Sequence, residues 1–250
     1  MDETDLDRVL YLVPSKRSGT CRPWSVRGTP SPSPSRPAAL PVPGRTVPLS
    51  PFDVYWVTLP PVRRVFLFPP SQLPFTDVAV GTLRSSLERV LPAFHPFAGV
   101  LTYSPESHAL SIVLPEGEEG ACSVAFVEAE TDLDFDRLVE EYDEDALQQL
   151  APDIRRDEFP APVMAAQVTE FVGGGVAVGV AVHHSAADGR GLWRFLEMWS
   201  ATAAGLKEGR VWAGPEPLHD RRLVRFDGDD DLARLFLQQL APDLPRRVPS

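Results

Sequence analysis

The 250-residue chain has the composition of a globular protein, with 43% hydrophobic residues and a formal net charge of −11 at pH 7. This charge argues against a nucleic-acid-binding role, because phosphate recognition needs clustered lysine and arginine. No apolar stretch approaches the roughly 18 residues of a membrane span, and the acidic N-terminus lacks a signal-peptide core. We therefore expect a cytoplasmic protein that binds neither nucleic acid nor membrane. Cys21 and Cys122 form no motif, which fits a reducing compartment.

Residues 1–46 differ in composition from the rest of the chain. Residues 9–13 have the apolar character of a short strand, and a basic, Ser- and Pro-rich stretch follows, with prolines at positions 30, 32, 34, 37, 41 and 43. Such a composition favours extended, poorly packed chain. We expect a poorly ordered N-terminal arm over residues 1–46, and we favour a solvated tail over a segment that binds an acidic partner.

Strands and helices alternate in the prediction from residue 47 onward. The expected strands or extended segments cover 52–59, 64–68, 97–103, 109–114, 123–127, 163–171 and 176–183. The expected helices cover 80–94, 134–141, a segment that ends at Gly205, and 232–240. A hairpin is expected to join 97–103 to 109–114, and a turn over 172–175 to join the last two strands. This order predicts the α/β class, built as α+β mixed-sheet layers.

The central feature is an apolar run, 176–182, that leads directly into His183 and His184 and is followed by Asp188 and Gly189. A valine-rich run of this length predicts a buried strand, and helical spacing begins after Gly189. The histidines therefore lie where a buried strand ends and a helix begins. That position suits a catalytic base, because it is rigid and can reach a substrate.

Three other interpretations of this motif compete with that of a lone catalytic base. In the structural one, a buried histidine is satisfied by backbone groups and Asp188 caps the next helix. A Ser-His-Asp triad with Ser185 as nucleophile is disfavoured, because the chain lacks a Gly-x-Ser-x-Gly elbow. A metal site on His183 and His184 is disfavoured too, because neighbouring strand residues point to opposite faces and no further ligand has suitable spacing. We favour a catalytic role for His184 and a structural role for Asp188.

The stretch His184-Ser-Ala-Ala-Asp188-Gly189 resembles the His-x-x-x-Asp-Gly motif of the plant BAHD acyltransferases. Their superfamily includes chloramphenicol acetyltransferase and the condensation domains of peptide synthetases. Further similar stretches are Leu49-Ser-Pro-Phe-Asp53, Phe94-His-Pro-Phe-Ala-Gly99, residues 162–175 and His219-Asp-Arg221. The resemblance covers roughly residues 47–245 and is closest to the branch that acylates anthocyanin and phenolic glucosides, often with malonyl groups.

The resemblance implies a chloramphenicol acetyltransferase-like domain over residues 47–250, the N-terminal one of the two that the family has. The C-terminal domain, with its Asp-Phe-Gly-Trp-Gly motif and the usual arginine partner of the motif aspartate, is expected to be absent. His184 would be the general base that takes a proton from the acceptor as it attacks an acyl-CoA thioester. Asp188 would orient the loop, so that Asp188→Asn damages its geometry, and Gly189 would permit the tight turn into the helix.

Two functions follow as hypotheses. The first is transfer of a malonyl or aromatic acyl group from acyl-CoA, as co-substrate, to a hydroxyl of a phenolic or flavonoid glucoside, with no bound cofactor and no metal. The second is a truncated, non-catalytic half-domain that binds a ligand or partner, since half of an inter-domain channel exposes apolar surface. A missing C-terminal domain is the expected protein partner. The sequence sets neither the donor nor the acceptor.

Overall fold

Strands and helices alternate along the part of the chain that the computed structural model describes, which is residues 10–13, 46–70, 80–114, 124–156, 158–205, 217–224, 226–240, 244 and 246–247. The strands are β1 (Leu10–Val13), β2 (Thr46–Pro48), β3 (Val62–Phe68), β4 (Val100–Ser104), β5 (Ala109–Val113), β6 (Ala125–Thr131), β7 (Glu158–Phe159), β8 (Ala161–Pro162), β9 (Met164–Phe171), β10 (Val176–Val182) and β11 (Arg246–Arg247). The helices are α1 (Pro51–Tyr55), α2 (Gly81–Val90), α3 (Phe135–Glu140), α4 (Glu144–Gln149), α5 (Gly189–Gly205) and α6 (Asp229–Leu240), with short 3-10 helices at His95–Ala98 and Arg221–Leu223. The arm's proline-rich stretch, Cys21 and Cys122 lie outside the described residues.

Strand β10 lies at the centre of a five-stranded mixed sheet with the order β1-β3-β10-β9-β6. It pairs antiparallel with β3 on one side and with β9 on the other, and β6 runs parallel to β9. Six of its seven residues are buried, as expected of a strand that is covered on both faces. The predicted mixed-sheet class and the hairpin that delivers the histidines are therefore confirmed.

The two faces of β10 pack against different parts of the chain. Alternate residues on one face belong to the main hydrophobic core, namely Val178, Val180 and Val182. On the other face Ala177 and Ala181 join two smaller clusters, and Gly179 lies against the backbone of Leu150 and Ala151. Small side chains on this second face let the segment after α4 approach the sheet closely.

A second, four-stranded antiparallel sheet has the order β2-β5-β4-β8. Its β4–β5 pair is the predicted hairpin, although residues 97 and 98, expected in its first strand, belong to a 3-10 helix. Helix α2 packs on α5, where the Trp199 indole N–H donates to the Ser86 hydroxyl oxygen and the Leu83 carbonyl, both at 3.0 Å. This contact anchors the helix that follows the histidine motif.

The prediction of an extended segment over residues 52–59 is wrong, because that segment begins with α1. The Ser50 hydroxyl oxygen accepts from the Asp53 N–H at 3.2 Å, and Asp53 Oδ2 accepts from the Ser50 N–H at 2.9 Å. This reciprocal capping box fixes a helix start, and Pro51 at the first helical position suits it. The alternating apolar residues indicated a strand, but the local cap decides the conformation.

The remaining differences are smaller. Helix α4, capped by Asp143, was not predicted, whereas α3 and α6 were. The short strand expected at residues 9–13 of the arm is present over residues 10–13, where it forms an edge strand that pairs with β3. No helix in the described ranges is both long and apolar enough to cross a membrane.

We predict that Gly179→Ala lowers the free energy of unfolding by about 3 kcal/mol, because a rigid neighbour leaves no room for a methyl group. A Cβ at this position would lie 2.0 Å from the Leu150 carbonyl oxygen and 2.7 Å from the Ala151 Cα. Urea unfolding measures the loss. Gly173→Ala is the matched control, because no atom lies within 4 Å of its Cβ position. Equal effects of the two substitutions would contradict the packing argument.

Candidate active site

The two histidines follow the last residue of β10 and occupy different environments. The His183 N–H donates to the Val163 carbonyl at 2.8 Å, which extends the sheet pairing by one residue. The His183 side chain is only 1% exposed, whereas His184, at the start of the turn, is half-buried. This arrangement is consistent with the opposite orientation that the sequence predicts for neighbouring residues of a strand.

His183 is held as a neutral structural residue. Its Nδ1 accepts from the Ser185 N–H at 3.3 Å and lies 2.8 Å from the Ser185 hydroxyl oxygen, so the neutral ring has its proton on Nε2. Burial above all, and then Arg156 and His184, lower the pKa of His183 to about 4, and the Val57 backbone only partly opposes them. Ser185 is buried and its hydroxyl contacts His183. This geometry does not fit a triad in which Ser185 is the nucleophile and His184 is the base.

The His184 ring is held by an aromatic stack. It lies against Trp56, the residue that ends α1, with ring centroids 4.6 Å apart and an angle of 17° between the planes. His184 Nδ1 is buried and has no hydrogen-bond partner among the described residues. The orientation of this ring therefore depends on packing, whereas a catalytic base is commonly oriented by a hydrogen bond from a third group.

Asp188 is the N-cap of α5. Its Oδ1 accepts from the Gly191 N–H at 2.7 Å, and its carbonyl accepts from the Leu192 N–H at 3.0 Å. The side chain is exposed, and no hydrogen bond or ion pair joins it to His184 within the described structure. The structural role that the sequence favoured for Asp188 thus fits its position as the cap of α5.

The structure shows no local need for a glycine at Gly189. It is the first residue of α5; its φ is outside the left-handed region, and its Cβ position is open. The tight turn that the resemblance implied for Gly189 therefore does not depend on a glycine there. A Cβ on Gly191 would lie 3.2 Å from Asp188 Oδ1, a close contact that a small shift of the capping side chain relieves.

Arg221 joins two segments that sequence reasoning left without a role. Its guanidinium donates from Nη1 to Asp53 Oδ1 at 2.8 Å and from Nη2 to the Ala186 carbonyl at 2.5 Å. Ala186 lies in the turn directly after His184. The contact therefore ties the start of α1 to the loop that holds the histidine.

Four exposed aromatic side chains on and against α1 form what we call the aromatic shelf, made of Phe52, Tyr55, Trp56 and Phe226. Of these, Trp56 contacts the His184 ring. Phe52 and Phe226 meet edge to face at 6.0 Å, and so do Tyr55 and Trp56 at 5.1 Å. Such a surface can bind a flat apolar group next to the imidazole. The described residues include no group of three or more His, Cys, Asp or Glu side chains that could hold a metal ion.

We expect Asp188→Ala to lower the free energy of unfolding by about 1 kcal/mol, because the Gly191 N–H loses its acceptor. Asp188→Asn should stay close to wild type, since an amide oxygen caps equally well. This replaces the sequence expectation that Asn damages the loop. Urea unfolding of both variants provides the measurement. A loss for Asn as large as that for Ala would show that the charge, and not the cap, matters.

We also predict a pH dependence that belongs to His183. Its pKa of about 4 in the folded chain lies below the ordinary 6.5 of the unfolded chain. The unfolded state therefore binds more protons between these values, and stability falls as the pH drops through this window, by up to about 3 kcal/mol. Urea unfolding at about pH 7 and about pH 4.5 measures the loss. His183→Asn should lose less stability over this interval, and an identical pH profile would refute the assignment.

Comparison with known proteins matches this fold and motif to one group. The profile of the Transferase family matches residues 36–233. Phenolic glucoside malonyltransferase 1 of Bemisia tabaci is 32% identical over 201 residues, which cover 78% of this chain and 42% of that protein. The malonyl-coenzyme A:anthocyanin 3-O-glucoside-6''-O-malonyltransferase of Dahlia pinnata is 33% identical over 192 residues, which cover 72% of this chain and 41% of that protein.

Solved structures agree on the fold. The crystal structure of vinorine synthase is similar with a TM-score of 0.55 at 23% identity, over 78% of this chain and 46% of that chain. The Fusarium graminearum TRI101 structure with coenzyme A and T-2 mycotoxin has a TM-score of 0.54 at 15% identity, over 73% of this chain and 44% of that one. The chain thus spans less than half the length of these proteins. With a family profile that covers most of its length, this chain belongs to the Transferase family, that of the BAHD acyltransferases.

Proposed function

We propose that this chain supplies the N-terminal acyltransferase domain of an enzyme that transfers an acyl group from acyl-CoA to a hydroxyl of a phenolic or flavonoid glucoside. In this proposal residues 47–250 form the domain, and His184 is the general base. The observation that carries it is the placement of the His184 ring at the end of the central strand, stacked on Trp56 beside exposed aromatic side chains.

The chemistry requires a residue that accepts and returns a proton near neutral pH, which histidine does. His184 Nδ1 is buried, so Nε2 is the nitrogen that we assign to this task. His183 is unsuited, because it is buried against Ser185 and burial disfavours its charged form. The pair therefore divides into one structural and one reactive histidine.

The proposed reaction proceeds in two steps. The acceptor hydroxyl oxygen attacks the thioester carbonyl carbon while Nε2 of His184 takes the hydroxyl proton, which gives a tetrahedral oxyanion. The oxyanion then collapses, the carbon–sulfur bond breaks, and the CoA thiolate leaves and takes up the proton from the imidazolium. The products are the ester and free CoA, and the base returns to its neutral form.

The aromatic shelf supports an acceptor that has an aromatic ring. Its four side chains are exposed, one of them, Trp56, stacks on the His184 ring, and ring–ring contacts favour flat partners. Several similar proteins are named as phenolic glucoside or anthocyanin malonyltransferases, and another as a coumaroyltransferase. We propose malonyl-CoA or an aromatic acyl-CoA as the donor on this basis.

Because the chain spans less than half of its relatives, the test must separate an incomplete enzyme from a binding module. Malonyl-CoA and a phenolic glucoside are incubated with the chain alone and with the C-terminal half of the Dahlia pinnata malonyltransferase added. Ester formed above the level that the added half gives alone supports the proposal. Saturable acceptor binding without turnover in either mixture would favour the alternative, a non-catalytic half-domain.

In a mixture that turns over, His184→Ala should lower kcat by about 10²–10⁴-fold, the usual contribution of a general base. The measurement is ester formation under saturating donor and acceptor. His108→Asn is the matched control, because His108 is an exposed histidine whose positive φ of 49° an asparagine tolerates. Far-UV circular dichroism confirms that both variants are folded. Normal turnover in His184→Ala would overturn the assignment of the base.

A further inference from the structure

We propose that Arg221 is a positioning residue for His184. It clamps α1 to the turn after β10, and the clamp keeps the Trp56 indole against the His184 ring. The catalytic consequence of the clamp rests on the proposed function, in which His184 is the base. The structural consequence, an ordered His184 ring, does not depend on any activity.

The Arg221 guanidinium uses separate nitrogens for its two partners. Nη1 binds the Asp53 carboxylate, and Nη2 binds the Ala186 carbonyl. The side chains of Arg221 and Asp53 are only 22% and 15% exposed, so water screens this pair less than it does a surface ion pair. A lysine at this position would have one nitrogen for two acceptors that need different directions.

Both carboxylate oxygens of Asp53 accept hydrogen bonds. Asp53 Oδ2 accepts from the Ser50 N–H at 2.9 Å and from the Ser50 hydroxyl at 2.6 Å, while Oδ1 accepts from Arg221. Asp53, the third residue of α1, therefore both caps the helix start and binds Arg221. A helix of only five residues has little stability of its own. Its buried Val54 and its contacts with α6 hold it to the core, and the Arg221 contact adds the link to the turn after His184.

Trp56 connects α1 to the His184 imidazole. Trp56 ends α1, and its N–H donates to the Asp53 carbonyl at 3.1 Å. Its indole covers one face of the His184 ring at 4.6 Å. His184 Nδ1 makes no hydrogen bond within the described residues, so no hydrogen bond at this nitrogen would retain the ring orientation if α1 moved. Because Arg221 also binds Ala186, two residues after His184, it restrains both sides of the stack.

The test is nuclear magnetic resonance of the full chain labelled in its five histidines. His184→Gln identifies the His184 ring-proton signals by their loss. Trp56→Leu gives the positions of these signals without the indole ring current. We expect Arg221→Gln to shift the His184 signals measurably toward the Trp56→Leu positions, because the link between α1 and the turn after His184 is then lost and the indole no longer keeps its place on the ring.

Arg84→Gln is the matched control. Arg84 also forms a long-range pair with a carboxylate, that of Glu128, and is 31% exposed, but it joins α2 to β6. This variant should leave the His184 signals in place even where it lowers stability. If Arg221→Gln does not fold, Arg221→Lys decides, since it keeps the charge but has a single nitrogen. Signals of the folded variant at the wild-type positions would overturn the proposal.

Kinetics give a second readout. In a mixture that turns over, Arg221→Gln should lower kcat by about 10–100-fold, as expected when a base is displaced by a fraction of an ångström. The KM for acyl-CoA should change by less than about twofold, because Arg221 acts on the base and not on the donor. If His184→Ala retains activity, the proposed function fails, yet the ring-proton shifts still decide whether the clamp exists.

Discussion

The burial of β10 on both faces is the constraint on which the site depends. The strand pairs with β3 and β9 along its whole length, and it accommodates the Leu150 backbone through the absence of a side chain at Gly179. A strand held in this way cannot slip by one residue without reversing every side chain. The residues that leave its end are therefore placed with the precision of the core and not with that of a surface loop.

This placement separates two adjacent histidines into different tasks. One extra step of sheet pairing keeps His183 inside, where desolvation favours the neutral ring. The chain then turns, and His184 emerges beside Trp56. The added hydrogen bond to the Val163 carbonyl thus keeps one imidazole in the core, while the other, which we propose as the base, leaves it. The low pKa of the buried His183 is the basis for the predicted acid sensitivity of the fold.

Patterns of neighbouring residues predicted the strands and the helix whose conformation is set within each segment. The valine run, the turn at 172–175 and the helical period after the motif gave β9, β10 and α5 because burial imposes those periods. The same reasoning failed at 52–59, where alternation of apolar residues resembled a strand although the Ser50–Asp53 capping box specifies a helix. Capping of α5 by Asp188 was one of the interpretations that the sequence left open, and the structure has this cap.

The contact between Asp53 and Arg221 could not be predicted, because 168 residues separate its partners and neither belongs to a periodic pattern. Yet this contact, and not the His184–Asp188 spacing, connects the histidine loop to a neighbouring element. In the proposed enzyme, the orientation of the base is consequently set within this chain alone, by Trp56 and by the clamp on α1. The residues that support the proposed base, Trp56, Asp53 and Arg221, all lie within this chain, although it spans less than half the length of the relatives that it matches.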